Sequence, residues 1–381
     1  MEKMINEYTE ESKYAIWYSS VEISNIKKLR LIKSLYSLNS SKCISIFKEI
    51  FNAPDLLLIE KGGFNLEELL KFKDEKRKFN TDILKECEKE NIHVIPINSL
   101  LYPPLLKIIP DPPIVLYVKG NIKELKNMLE RPSVSIVGAR MCTSYGISIA
   151  EELAEILSSY SINIISGMAN GIDTASHRGA LKGKGFTAAI LGCGANICYP
   201  NRNRKIYNEI IEKGLIISEY PPKTPPIAFH FSRRNRIIAG LSQSLIVVEA
   251  KLKSGSLITA KLAEEYGRDI YAVPGRITDN LSTGTNKIIN EGAVLIESMD
   301  SLIKSLNLYK KDKKSSSFDS QTDFMSKEEL TIFNEIDYYA THIDSIFSKC
   351  NLSENDFYKN IQSLIDKHKI NEIFPDYFIK V

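Results

Sequence analysis

Apolar residues follow two rhythms along this chain, and the change between them marks its parts. Up to about Leu70 they recur at helical spacing: residues 22–36 are amphipathic, and residues 44–51 repeat the pattern. Residues 71–78 are densely charged and read as an exposed stretch. From residue 91 short β-branched runs take over. Residues 91–97 (NIHVIPI) and 114–118 predict two strands. Pro103, Pro104, Pro110, Pro112 and Pro113 make the chain between them an extended connection.

Strand and helix then alternate. Strands are expected at 133–137, 162–165, 187–191, 215–218, 244–248 and 269–273, and helices at 147–160, 173–181 and 257–266. The strands are apolar with little alternation, as in a parallel sheet covered on both faces. Residues 310–326 (KKDKKSSSFDSQTDFMS) are polar and read as a linker. Helical patterns at 327–339, 342–350 and 356–367 follow, with strand-like ends at 370–374 and 377–381. The expected fold class is α/β: an extended Rossmann-like, doubly wound, mostly parallel sheet, with an N-terminal helical domain and a small C-terminal winged-helix-like domain. The expected boundaries are 1–75 for the helical domain, 76–308 for the sheet domain, 309–326 for the linker and 327–381 for the last module.

Composition narrows the function. The chain has 381 residues, 43% of them hydrophobic, enough for a substantial core. A net charge of +3 is not that of a broadly basic protein, so any nucleic-acid site must concentrate its positive charge. Residues 1–20 are acidic and polar, unlike a signal peptide, and no apolar run approaches the ~20 residues that span a bilayer. The cysteines form no CxxC pair and the histidines no metal-ligand spacing. A reducing cytoplasm is the expected compartment, with no metal.

The expected strand ends carry the candidate chemistry. In an open parallel sheet, ligands sit beyond the carboxyl ends of the strands. There lie Gly138-Ala139-Arg140, the Ser166–Gly171 turn (SGMANG), Gly192-Cys193-Gly194 and Glu249-Ala250. Glycine lets a ligand approach the backbone, and a helix starting after such a loop points free N–H groups at an anion. Arg140 adds a charge that can grip phosphate in bidentate fashion. Taken singly, each glycine can equally serve a tight turn; convergence on one rim favours phosphate. Gly192-Cys193-Gly194 lacks the third glycine of the dinucleotide fingerprint, and no Walker A sequence is present, which disfavours a nicotinamide or ATP enzyme. Phe229-His-Phe-Ser-Arg-Arg-Asn-Arg236 places three arginines after aromatics, at an expected loop-to-helix junction. Lys251, Lys253, Ser254, Gly255, Ser256 and Thr259 make another anion nest, or an ordinary helix cap.

Together these motifs resemble the DNA-processing protein A (DprA/Smf) family. The resemblance rests on Val137-Gly-Ala-Arg140 with Ser144-Tyr-Gly146, Ser166-Gly-Met-Ala-Asn-Gly-Ile-Asp173, Tyr199-Pro200 with Asn203, and Ser218-Glu-Tyr-Pro-Pro222. It continues through Arg234-Asn-Arg-Ile-Ile-Ala-Gly-Leu-Ser242, Glu249-Ala250, Ser254-Gly-Ser-Leu-Ile-Thr-Ala260, Val273-Pro-Gly275 and Gly284-Thr-Asn286, in order over about half the chain. It implies a protein without catalytic activity or cofactor. Such a protein binds and protects single-stranded DNA, forms homodimers and helps load the RecA recombinase in natural transformation. The residues expected at DNA are Gly138, Arg140, Ser166, Gly167, Ala169, Gly171, Phe231, Arg233, Arg234, Asn235, Arg236, Ser254, Gly255, Ser256 and Asn286. Ser232 replaces the family's proline, and Ala228 stands where some members carry a DNA-contacting lysine; Arg233 is the candidate to compensate.

Two other functions are open at this level. A Rossmann-like nucleotide phosphoribohydrolase would use Glu219, Glu249 or Asp173 as acid or base, but Pro274-Gly275 continues as Arg276-Ile277 and breaks that group's glycine-rich loop. Asp173 and His177, four residues apart on a helix, are expected to pair locally rather than bind metal. A regulator acting through the winged-helix-like module would need a basic recognition helix, and residues 356–367 mix Lys359 and Lys367 with Asp356 and Asp366.

Overall fold

Six helices precede the first strand among the described residues: α1 (Thr9–Ser20), α2 (Asn25–Leu38), α3 (Ile46–Asn52), α4 (Asp55–Glu60), α5 (Leu66–Arg77) and α6 (Asp82–Lys89). The computed structural model describes residues 9–38, 45–183, 185–306, 325–336, 341–367, 369–374 and 376–380. The expected linker falls outside them except for Met325 and Ser326, as do residues 337–339 of an expected helix. The charged run expected to be merely exposed forms the last turns of α5. A capping box between Asn65 and Glu68 starts that helix, and its Phe72 is 2% exposed. Trp17 meets Phe51 and Phe72 edge-on at 4.9 and 5.0 Å, which ties α1 to α3 and α5.

The strands β1 (Ile92–Pro96), β2 (Val115–Gly120), β3 (Ser133–Val137), β4 (Asn163–Ser166), β5 (Thr187–Leu191), β6 (Leu215–Ser218), β7 (Ser244–Val247), β8 (Asp269–Ala272) and β9 (Val294–Leu295) form one sheet. Its order is β1-β2-β6-β5-β4-β3-β7-β8-β9. The β1–β2 and β2–β6 pairs are antiparallel; the others are parallel. Every residue of β3 to β7 is buried, which explains their unbroken apolar runs. The connecting helices are α7 (Pro104–Lys107), α8 (Glu124–Glu130), α9 (Ser144–Ser159), α10 (Ile172–Lys182), α11 (Arg204–Lys213), α12 (Ala228–Gly240), α13 (Gly255–Glu265) and α14 (Thr283–Asn290). α9 starts at residue 144 rather than 147 because the Thr143 hydroxyl caps it, accepting from the Gly146 N–H at 3.0 Å.

The chain steps outward from β3 through β4 and β5 to β6, then returns to place β7 on the other side of β3. That reversal opens a crevice beyond the carboxyl ends of β3 and β7, where an α/β sheet takes its ligand. Residues 1–299 and 300–381 are separate compact units. In the second, α15 (Met299–Ser305), α16 (Lys327–Glu335), α17 (Ile343–Phe347) and α18 (Glu354–Asp366) accompany β10 (Thr341–His342), β11 (Ile370–Phe374) and β12 (Tyr377–Lys380). These strands form an antiparallel sheet ordered β10-β12-β11. Phe357, Ile361 and Leu364 recur along one face of α18 and pack with Ile332, Phe333 and Ile346. No helix among the described residues is long and apolar enough to cross a membrane.

Candidate nucleic-acid interface

The crevice holds an open cleft of about 330 Å3. Gly138, Ala139 and Arg140 enter it from β3, Ala169 and Asp173 from the β4 side, and Lys251 and Lys253 with Ser254, Gly255 and Ser256 from β7. α12 contributes Phe231, Arg234, Asn235 and Ile238, spaced i, i+3, i+4 and i+7, so one helix face lines the cleft. The exposed guanidinium of Arg140 lies 5.9 Å from the centre of the Phe231 ring, a cation–π distance. On its other side Phe231 meets Tyr199 at 5.3 Å. Gly192 gives that ring room, since a Cβ there would stand 2.9 Å from Phe231 Cδ1. Ser254 caps α13, accepting from the Ser256 N–H at 3.3 Å, and the N-terminus of that helix faces the cleft. Arg140, Lys251 and Lys253 make no ion pair among the described residues, so their charge is available to an anion.

Under this exposed charge lies a buried one. Arg234 is 4% exposed and donates through Nη1 to the Ile190 carbonyl at 2.9 Å. Asp173 faces it and accepts from the Ala169 N–H at 3.3 Å. Burial pushes the Asp173 carboxyl up and the Arg234 guanidinium down, and each opposes the other's shift by its charge. The pair braces the Ser166–Gly171 turn from within. A Cβ at Gly167 would sit 1.6 Å from Arg234 Nη1, so any larger residue there displaces the Arg234 guanidinium. Gly171 takes φ +80°, and a Cβ there would sit 2.7 Å from the Arg140 carbonyl oxygen, so only glycine lets this turn lie against the β3 loop. The Ser166 hydroxyl donates to the Ile136 carbonyl at 2.6 Å and is buried.

The structure therefore divides the residues expected on one rim. Gly138, Arg140, Ala169, Phe231, Arg234, Asn235, Ser254, Gly255 and Ser256 meet at the cleft. Ser166, Gly167 and Gly171 shape it without lining it. Arg233 and Arg236 leave it altogether. The expected loop-to-helix junction is already helix, since α12 begins at Ala228, and its period turns residues 233 and 236 to another face. There Arg236 grips Glu219 through both terminal nitrogens and Asp111 through Nε at 3.0 Å. Arg233 lies 3.4 Å from Glu219, and neither it nor Ala228 lines the cleft. Asn286 brackets Gly275, accepting from its N–H at 3.1 Å and donating to its carbonyl at 2.9 Å. Lys251 and Lys253 reach the cleft as part of the nest legible after β7.

The expected Asp173–His177 pair does not form. His177 Nδ1 lies 2.7 Å from the Thr187 hydroxyl, and burial with the Arg234 charge pushes the imidazole down to about 3. The acid–base candidates are all engaged elsewhere: Asp173 with Arg234, Glu219 with Arg236, and Glu249 with Thr143, whose N–H donates to it at 2.9 Å. No group of three metal-ligating side chains occurs among the described residues.

A family model described as DNA recombination-mediator protein A matches residues 93–307. Protein Smf of Escherichia coli (strain K12) is 36% identical over 253 residues, which cover 66% of this chain and 67% of that protein. The X-ray structure of DNA processing protein A (DprA) from Streptococcus pneumoniae is similar at TM-score 0.66 and 33% identity, covering 77% of this chain and 97% of that one. DNA processing protein A from Helicobacter pylori, solved for its single-stranded DNA binding mode, is similar at TM-score 0.50 and 34% identity, covering 54% of this chain and 92% of that one.

Proposed function

This chain belongs to the DNA-processing protein A (DprA/Smf) family, and from that premise we propose that it binds single-stranded DNA in the cleft at the ends of β3 and β7. The observation that carries the reading is the partition of charge: Arg140, Lys251 and Lys253 make no ion pair among the described residues and line the cleft with the N-terminus of α13, while Arg234 is buried beside Asp173 and Arg236 is paired with Glu219 and Asp111. Free cations and helix N–H groups hold successive phosphates, and Phe231 offers a ring to any base. Recognition is then tolerant of sequence. The bound strand is protected and passed to the RecA recombinase, with the protein acting as a homodimer and without catalysis. Engagement of Glu219, Glu249 and Asp173 in structural contacts supports a binder over a phosphoribohydrolase.

Arg140→Ala tests the cleft, because Arg140 is exposed and its removal leaves no buried partner behind. Without this charge-assisted hydrogen bond, all single strands are expected to bind about tenfold more weakly, near 1.5 kcal/mol. The log–log salt dependence should flatten by ~0.7 for each phosphate that is no longer neutralised. Fluorescence titration at several salt concentrations reads both; unchanged affinity and slope would rule the cleft out.

A further inference from the structure

A second groove, of about 410 Å3, runs between α10 and α11. Its lining contains five cations, Arg178, Lys182, Arg202, Lys205 and Lys213, and the single carboxylate Glu209. They form two facing rows. Arg178 and Lys182 are four residues apart on α10, and Lys205, Glu209 and Lys213 are four apart on α11. Leu181 and Ile206 lie between the rows, and no aromatic side chain lines the groove.

Local helix energetics account for part of this charge only. Lys182 and Lys213 sit in last turns, where the helix dipole favours cations, and Arg178 and Lys182 pair with Glu151 at 2.8 and 3.3 Å. Arg202 and Lys205 have no such reason. Arg202 lies in the turn Asn201–Asn203 that leads into α11 and Lys205 in the first turn of that helix, where the dipole is positive and no acidic residue stands. Lys205 and Lys213 make no ion pair among the described residues. Cations gathered at a positive helix end repel the dipole there, and an anion placed between them would relieve that repulsion.

The groove is joined to the central cleft by fixed contacts. Ala169 lines the cleft, and the next residue, Asn170, accepts a hydrogen bond from Arg202 Nε. Asn203, 7% exposed, donates to the Met168 carbonyl and the Thr174 hydroxyl, both at 2.9 Å. The turn Asn201–Asn203 is thereby held against the Ser166–Gly171 turn, and the two sites keep one geometry.

We propose that the α10–α11 groove carries the phosphate backbone of the same DNA strand after it leaves the cleft. This rests on the cleft reading above and adds a second, purely electrostatic track. With two rows of cations and no stacking ring, the groove holds backbone only, so its contribution depends on strand length and not on base identity.

The test compares oligothymidylates of about 5 and about 15 nucleotides, one filling the cleft and one reaching beyond it. With the full chain, Lys205→Gln/Lys213→Gln is expected to leave the short strand unchanged. It should weaken the long one at least about threefold, and lower the salt slope for the long strand by about 1.4, two phosphates at ~0.7 each. Glu209→Gln, which removes the one carboxylate, should tighten the long strand alone. Equal affinity and salt slope of wild type and double variant on the long strand overturn the groove, as does an equal weakening on both lengths. The cleft is read separately: a short strand that wild type does not bind, or that Arg140→Ala does not weaken, overturns the cleft reading whatever the groove variants do.

Discussion

Arg234 and Arg140 lie at the same cleft and have opposite physics. Arg234 is buried against Asp173, so its removal leaves a carboxylate inside the protein without its counter-charge. Breaking such a pair is strongly destabilising, by about 3–5 kcal/mol. Arg234→Ala should therefore lower the urea midpoint substantially, and absence of DNA binding in that variant would report a collapsed turn rather than a missing phosphate ligand; unchanged stability would contradict the bracing role. His177 makes a second residue-scale prediction. It is buried and held neutral, with its ionisation pushed down to about 3 from 6.5. The unfolded chain takes up a proton below 6.5 that the native state refuses, so this stability is present above 6.5 and is lost as pH falls toward 3. Between pH 6.5 and about pH 5 the loss from this one group is about 2 kcal/mol. Urea unfolding at the two pH values should show it in the wild type, and His177→Gln should flatten that slope; an equally steep slope in the variant would assign the effect to other groups.

At the scale of elements, the sheet was legible in the sequence and the arginine helix was not. Fully buried parallel strands leave continuous apolar runs, so β3, β5 and β6 match their expected limits, β7 and β8 differ by one residue at an end, and β4 by one at each end. α12 opens with Ala-Phe-His-Phe-Ser-Arg-Arg-Asn-Arg after a proline-rich stretch, which looks like a loop entering a helix. Its aromatics and arginines alternate between faces, because one face meets the cleft and another meets Glu219 and Asp111. Amphipathicity of that kind has charge on both sides, and hydrophobic spacing does not register it. Once the helix is placed, the period alone separates Arg234 from Arg233 and Arg236. The ion-pair partners remain hidden from sequence, since Arg236 and Asp111 are 125 residues apart. α11 is not among the expected helices, although Ile206, Tyr207 and Ile210 recur at helical spacing and the signal is there to be found.

At the scale of the whole molecule, the cleft and the core beneath it belong to residues 1–299, and the C-terminal module has a core of its own. The charge of that module opposes a direct role in gripping DNA. α18, the helix a winged-helix regulator would present to a groove, carries Glu354, Asp356 and Asp366 against Lys359. The next lysine, Lys367, is held by Glu329 at 2.6 Å. A chain ending after residue 306 should therefore fold, as judged by a cooperative unfolding transition, and bind oligothymidylate within about threefold of the full chain, with the same salt slope. Complete loss of binding in a folded truncation would instead favour a regulator that contacts DNA through its C-terminal module. Retained binding would leave the C-terminal module to contacts other than DNA. The division of labour would then follow the division of the chain: phosphates held by the rigid ends of β3 and β7, and other contacts made by a module with a separate core.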